Sequence, residues 1–184
     1  MDTDYTQSLT EVIKEQQLIS FDFEPLNNLH TWGFVLDCNE TFTLLNMFDR
    51  DIYDLDGYTV FFNEDVSEYW TYTTTENYLE TKYIKFKNIK PQPQPKISLK
   101  SLSDLLISIS QNFSTMKIYR DNLSENGTVI GKLVEVKENT FKLLAIRTDG
   151  IWKEQPSRFR LSDVTRIDFG TKYEDVLLSV AGEI

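Results

Sequence analysis

The chain has 184 residues, of which 40% are hydrophobic and 26% charged, a composition typical of globular proteins and unlike that of disordered chains. Its 29 acidic and 19 basic side chains give a formal net charge of −10, which argues against general nucleic-acid binding because phosphates are bound by cations. A single cysteine (Cys38) and a single histidine (His30) exclude a disulfide framework and a zinc site built from these residue types.

The first predicted element is a helix over residues 6–17, because Leu9, Val12 and Ile13 recur at helical spacing. After it the hydrophobic period shortens to two, which is typical of half-buried strands. Strands rich in β-branched and aromatic residues are predicted over residues 19–23, 34–36, 41–48 and 58–62, with a hairpin turn at 37–40. A short helical patch at residues 76–79 closes this part of the chain.

Prolines alternate with polar residues over residues 90–96. Because proline fixes φ and lacks a backbone donor, this stretch is interpreted as a stiff polyproline II linker. The same order of elements then recurs. A helix is predicted at 102–109 behind the capping pair Ser101 and Asp104, followed by strands over residues 116–119, 130–136, 140–146, 157–161 and 164–169 and a helical patch at 173–180.

The recurrence extends to the residues themselves. Gly33-Phe34-Val35-Leu36 resembles Gly131-Lys132-Leu133-Val134, and Asp65-Val66 matches Asp163-Val164. Both pairs are separated by 98 residues (131 − 33 and 163 − 65), which indicates an internal duplication. We therefore predict a first repeat over residues 1–89, a proline-rich linker over 90–96 and a second repeat over 97–184.

A family resemblance rests on residues 131–136, 141–144 and 161–167 of the second repeat and on 33–36, 44–45 and 65–66 of the first. These stretches resemble the Sm-like branch of small SH3-type barrels. The resemblance implies a mainly β (α+β) protein of two tandem, bent five-stranded barrels, each preceded by a helix. It gives little support for the ring assembly of that family, and an oligomer through edge strands stays open. Sm proteins that hold RNA carry an aspartate and an asparagine where this chain has Lys137 and Phe141, so no binding residue is carried over.

Charge divides unequally between the repeats: residues 1–93 hold 17 acidic and 6 basic side chains, whereas residues 94–184 hold 12 and 13. The densest acidic stretch is a predicted face for a basic protein partner, because carboxylates attract such a partner and tyrosines anchor it. Its residues are Asp49, Asp51, Asp54, Asp56, Tyr53 and Tyr58, with Trp70 and Tyr72 further on. The alternatives are a solvated hairpin tip and a calcium loop, although Thr59 stands where an EF-hand needs glycine.

The second repeat carries a basic group near its last two strands, formed by Lys153, Arg158, Arg160 and Arg166 with Trp152 nearby. Strand alternation places Arg158 and Arg160 on one face and Phe159 on the other. This group is the alternative candidate site, a nucleic-acid face that grips phosphates and stacks a base. The stronger interpretation of this group is a solvated outer face or a surface that contacts the acidic first repeat.

No motif for catalysis is present: the chain has no glycine-rich phosphate loop, no Gly-x-Ser-x-Gly elbow and no His-Glu-x-x-His. We therefore predict a non-catalytic protein without metal or cofactor. Its predicted partner is a basic protein, with RNA as the alternative that the net charge disfavours. No apolar run approaches the ~20 residues of a membrane span and the first residues lack a leader pattern, so a cytoplasmic location without a membrane partner is expected.

Overall fold

The computed structural model describes residues 3–23, 29–72, 78–123 and 127–182. The chain divides into two compact units, Met1–Gln94 and Pro95–Ile184, so the division falls within the proline-rich segment. Each unit begins with a helix, continues through strands that pair antiparallel with one another, and ends with a second helix. Among the described residues, none of the helices has the length and apolar character needed to cross a bilayer.

The first unit has its five strands in the order β5-β1-β2-β3-β4. A short 3-10 turn at Asn63–Asp65 separates β4 from β5 and carries the chain back to pair with β1. Its elements are α1 (Thr3–Glu15), β1 (Leu18–Phe23), β2 (Leu29–Cys38), β3 (Phe42–Asp49), β4 (Asp54–Phe62), β5 (Glu68–Tyr72) and α2 (Leu79–Lys87).

The second unit repeats this plan with the strand order β10-β6-β7-β8-β9 and a 3-10 turn at Leu161–Asp163 between its last two strands. The capping pair expected from sequence is present, since Ser101 Oγ accepts a hydrogen bond from the Asp104 amide at 3.1 Å. Its elements are α3 (Leu102–Asn112), β6 (Met116–Tyr119), β7 (Thr128–Val136), β8 (Thr140–Ile146), β9 (Ser157–Arg160), β10 (Arg166–Phe169) and α4 (Lys172–Ala181).

The strands of the first unit bury both of their faces. On one face, Leu9 and Val12 of α1 join a cluster with Phe21, Val35 and Phe61. On the other face, Leu18, Trp32, Phe34 and Phe48 form a second cluster, against which Ile84 of α2 packs. Because successive side chains of a strand point to opposite faces, β1 contributes Phe21 to the first cluster and Leu18 to the second.

The glycine that recurs in both repeats, as Gly33 and Gly131, is required for a steric reason. A Cβ on Gly33 would lie 2.2 Å from the carbonyl oxygen of Asn46, and one on Gly131 would lie 2.3 Å from that of Leu144. Both glycines therefore allow β2 and β7 to approach the following strand closely. The motif that aligned the two repeats is explained by backbone packing.

The expected pair of Sm-like, SH3-like five-stranded barrels is wrong. In each unit the five strands form an open antiparallel sheet, and no described pairing joins β4 to β5 or β9 to β10, as closure of the unit would need. The hydrophobic pattern specifies which residues are in strands and which face is buried. Closure depends on strand tilt and stagger, which that pattern does not encode.

Two elements of the first unit also differ from expectation. The helical patch expected at residues 76–79 lies partly outside the described residues, and the helix observed there, α2, extends to Lys87. Strand β5, whose sequence is Glu-Tyr-Trp-Thr-Tyr, had no predicted counterpart. Both elements contribute to the surfaces described next.

Candidate protein-docking site

The acidic stretch forms the turn between β3 and β4, and residues 49–56 are called the hairpin tip below. Asp49 and Asp54 face each other across the ladder at its base. The Asp49 carboxylate accepts hydrogen bonds from the amides of Asp51 and Ile52, at 2.7 and 3.4 Å, and thereby folds the turn. Asp51 is exposed and Ile52 is 50% exposed, so the apex presents a carboxylate beside an apolar side chain.

The one cation of the hairpin tip is directed away from these carboxylates. Arg50 donates to Glu80 of α2 with N···O distances of 2.6 and 2.9 Å, and its guanidinium lies 4.6 Å from the centroid of the Trp32 ring. The Glu80 side chain is only 6% exposed, so Arg50 balances a nearly buried charge. The negative charge of the aspartates at the tip is therefore not cancelled by the arginine beside them.

The two tyrosines predicted for this face serve the fold instead. Tyr53 occupies a left-handed backbone conformation (φ 52°) and packs edge-on against Phe48 and Tyr83, at centroid distances of 6.1 and 5.4 Å. Tyr58 is 9% exposed, donates a hydrogen bond to the Pro93 carbonyl at 3.4 Å, and has its pKa raised by burial. The carboxylates at the apex are thus more accessible than the tyrosines.

Aromatic residues gather instead beside β5. Tyr72 stacks on Trp32 at 4.4 Å, Tyr78 meets Tyr72 edge-on at 5.2 Å, and Trp70 is 42% exposed. His30, which also contacts both tryptophans, pairs through Nδ1 with the Asp22 carboxylate. Cross-strand register brings these residues together, since Ser20 of β1 lies opposite Trp32 on one side and Trp70 on the other.

Sequence reasoning missed the outer face of α2. Four of the six basic residues of positions 1–93 lie between 82 and 90, and all four are exposed. Phe86 is 80% exposed and Leu79 is 62% exposed on the same helix. The signal in the sequence was a run of lysines alternating with apolar residues in an otherwise acidic region, which is typical of a basic amphipathic helix.

The basic residues predicted in the second unit are separated. Arg158 and Arg160 are exposed on β9, while Phe159 stacks on buried Phe141 at 5.4 Å, as alternation predicts. Arg166 lies on β10 at the other end of the strand order and is 9% exposed. Its guanidinium stacks 3.8 Å from the centroid of the Tyr119 ring.

The remaining two members of that group also stand apart. Lys153 is exposed, and the Trp152 indole donates its N–H to the Gly182 carbonyl at 2.8 Å. Nearer β9, Lys142 lies opposite Arg158 and forms a 2.9 Å ion pair with Glu135. Of the predicted basic residues, Lys153, Arg158 and Arg160 are therefore exposed, whereas Arg166 is buried.

The second unit also contains a buried carboxyl. Glu174 is 2% exposed, and its Oε2 accepts hydrogen bonds from the amide and the hydroxyl of Thr171, both at 3.1 Å. Its Oε1 has no partner among the described residues. Burial raises the pKa of Glu174 to about 8, and the Asp168 carboxylate adds to the increase, while the Thr171 hydrogen bonds and Lys117 oppose it.

Within the described ranges, no group of three or more His, Cys, Asp or Glu side chains is placed to hold a metal ion. The first unit has a cavity of about 410 Å³ beside α2, lined by Leu18, Phe34, Tyr72 and Ile84 among others. The second has one of about 370 Å³ at the end of α3, lined in part by Asn112, Lys132 and Trp152.

Comparisons with known proteins identify no family for this chain. No protein-family model matches the chain, and no curated protein matches it. Among solved structures, it is similar to the crystal structure of YcgR in complex with c-di-GMP from Escherichia coli, with 11% sequence identity and a TM-score of 0.20 over 95% of this chain and 86% of that one. A likeness of this size establishes neither a shared fold nor a shared ligand.

Proposed function

We propose that the protein is a non-catalytic binding protein whose first unit docks a basic protein partner through the hairpin tip. The observation that carries this proposal is the placement of charge. Arg50 is bound to Glu80 and Trp32, while Asp51 and Ile52 face solvent at the apex. An exposed apolar residue among carboxylates offers a cationic surface both long-range attraction and a desolvated contact.

The proposal assigns different roles to the predicted residues. Asp51 and Asp54 provide exposed charge, and Asp49 shapes the turn that presents them. Tyr53 and Tyr58 hold the hairpin tip against α2 and the following segment. Substituting these tyrosines is therefore expected to destabilise the unit, whereas substituting the exposed aspartates is expected to weaken partner binding alone.

The experiment is a pull-down from nuclease-treated lysate of the cells that produce the protein. It compares the wild-type chain with Asp51→Lys/Asp54→Lys and with a control, Glu11→Lys/Glu15→Lys, which makes the same charge change at exposed positions on α1. A protein captured by the wild type and the control, lost with the hairpin variant and released by high salt, is the expected result. Equal capture by all three chains would show that the hairpin tip is not the docking site.

RNA binding by the second unit is the alternative, favoured by the exposed arginines of β9. Arg158 and Arg160 are two residues apart on β9, so their side chains lie on one face of the strand, and both are exposed. A matched pull-down without nuclease tests it with Arg158→Glu/Arg160→Glu. Retention of RNA by the wild type and its loss with this variant would favour this alternative over the hairpin tip.

A further inference from the structure

The exposed face of α2, formed by Leu79, Lys82, Lys85 and Phe86, is an unusual surface for an acidic unit. Leu79 and Phe86 are seven residues apart, so they lie on the same side of the helix, and both are mostly exposed. Lys82 and Lys85 are exposed beside them. A large apolar side chain ringed by cations is the composition expected of a surface that contacts an anionic, partly apolar partner.

The inner side of α2 fixes this orientation. Glu80 and Thr81 are buried, with Glu80 held by Arg50, and Ile84 packs on the Trp32 cluster. At its end, Asn88 adopts a left-handed conformation (φ 53°), and its amide bonds to the carbonyls of Ile84 and Lys85. The helix therefore cannot bury Phe86 by rotating without breaking these contacts.

The hairpin tip lies next to this face in the same unit. Arg50 of the tip bonds to Glu80 of the helix, and Tyr53 meets Tyr83 at 5.4 Å. An acidic surface with an exposed isoleucine thus adjoins a basic surface with an exposed phenylalanine. None of Asp51, Lys82 and Lys85 forms an ion pair with any residue that the structure describes, so these charges remain available for a partner.

We propose that two copies of this chain pair about a twofold axis, with the hairpin tip of each copy seated on the exposed face of α2 of the other. This inference rests on the docking role proposed for the hairpin tip and identifies one basic surface that the tip contacts, the exposed face of α2 in a second copy. An isologous interface requires a surface that complements itself. In this pair, the tip carboxylates of each copy contact the α2 lysines of the other, and Ile52 of each copy contacts Phe86 of the other. Both contacts form twice because the hairpin tip and the exposed face of α2 lie side by side in each copy.

The experiment is sedimentation of the full chain, whose monomer mass is 21.6 kDa. The wild type is compared with Asp51→Lys/Asp54→Lys, in which both surfaces are basic, and with Lys82→Glu/Lys85→Glu, in which both are acidic. Glu11→Lys/Glu15→Lys is again the charge-matched control. We expect a dimer for the wild type and the control at low salt, and a monomer for each of the other two variants alone.

Mixing the two monomeric variants gives the decisive result. A basic tip then faces an acidic helix, and an acidic tip faces a basic helix, so both contacts are complementary and a one-to-one dimer is expected. Raising the salt to about 1 M, where the Debye length falls to about 3 Å, should dissociate it. A head-to-tail contact would restore no closed dimer on mixing, since only an isologous contact uses both surfaces twice.

Two outcomes overturn this inference: a wild-type chain that stays monomeric at its highest soluble concentration in low salt, or a dimer that both variants retain. Neither decides the proposed function. If the wild type is monomeric and the hairpin variant still loses a protein in the pull-down, the docking role stands and only the second copy is rejected. If α2 variants disrupt the dimer and hairpin variants do not, the dimer forms without the hairpin tip, so this inference is rejected and the docking role is again decided by the pull-down alone.

Discussion

The buried carboxyl of Glu174 gives the second unit a stability that decreases as pH rises. In the folded chain the pKa of this group is about 8, against an ordinary value of 4.5, chiefly because burial disfavours the charged form. Between these two values the folded chain binds a proton that the unfolded chain releases. The stabilisation is therefore fully present below the unfolded pKa and is lost as pH rises through the folded pKa.

Substituting Glu174→Gln isolates this contribution, because glutamine keeps the size and the hydrogen-bond acceptor for Thr171 but does not titrate. Each pH unit in the window changes the free energy of unfolding by about 1.4 kcal/mol. From about pH 5.5 to about pH 7.5, the free energy of unfolding of the wild type should fall by about 3 kcal/mol more than that of the variant.

The assay is urea unfolding followed by circular dichroism at several pH values across that window. Asp175→Asn is the matched control, since it removes an exposed carboxylate from the same helix. We expect the control to keep the wild-type pH dependence. Equal pH slopes for the wild type and Glu174→Gln would refute the reasoning, as would loss of the slope in the Asp175→Asn control.

Three further predictions concern substitutions in the first unit and, for the repeated glycine, also Gly131 of the second unit. For each variant the free energy of unfolding is measured in urea. Gly33→Ala and Gly131→Ala should each cost about 2 kcal/mol or more, because a Cβ at either position meets a backbone oxygen at 2.2 or 2.3 Å; a cost under about 0.5 kcal/mol would contradict this close packing. Arg50→Ala should cost about 1–2 kcal/mol by leaving the nearly buried Glu80 carboxylate unpaired, and Arg50→Ala/Glu80→Gln should recover part of that loss; no recovery would mean that the ion pair is not the cause. Asn63→Ala should cost about 2–3 kcal/mol by removing hydrogen bonds to Thr43 and the Asn39 carbonyl, both 2.7 Å long, and an unchanged midpoint would show that water replaces them.

Much of the local structure could be predicted from sequence because it depends on short-range patterns. Helix α3 and its Ser101 cap follow from spacing along a few residues. Likewise, the side chains of Arg158 and Arg160 lie on one face of β9 and that of Phe159 on the other, because strand side chains alternate. The glycine that marked both repeats has the same steric role in each.

The candidate site was predicted only in part. The acidic stretch forms the turn between β3 and β4, which correspond to the strands predicted over residues 41–48 and 58–62. Its tyrosines were assigned to the surface because composition does not distinguish an exposed aromatic ring from a packed one. Tyr58 and Tyr53 contact neighbours distant in sequence, Pro93 and Tyr83 respectively, which local patterns do not reveal.

Most strands and helices of the two repeats, the excess of acidic residues in the first repeat and the glycines that allow close strand approach could be read from the sequence, whereas β5 and most of α2 could not. Tertiary contacts alone establish that the sheet of each unit stays open, that Arg166 is buried against Tyr119, and that Arg50 pairs with Glu80. These two sets of features differ in the distance along the chain over which their causes act. Periodicity and turn chemistry act over a few neighbouring residues, whereas sheet closure, burial and ion pairing depend on contacts between segments that the chain brings together only when folded.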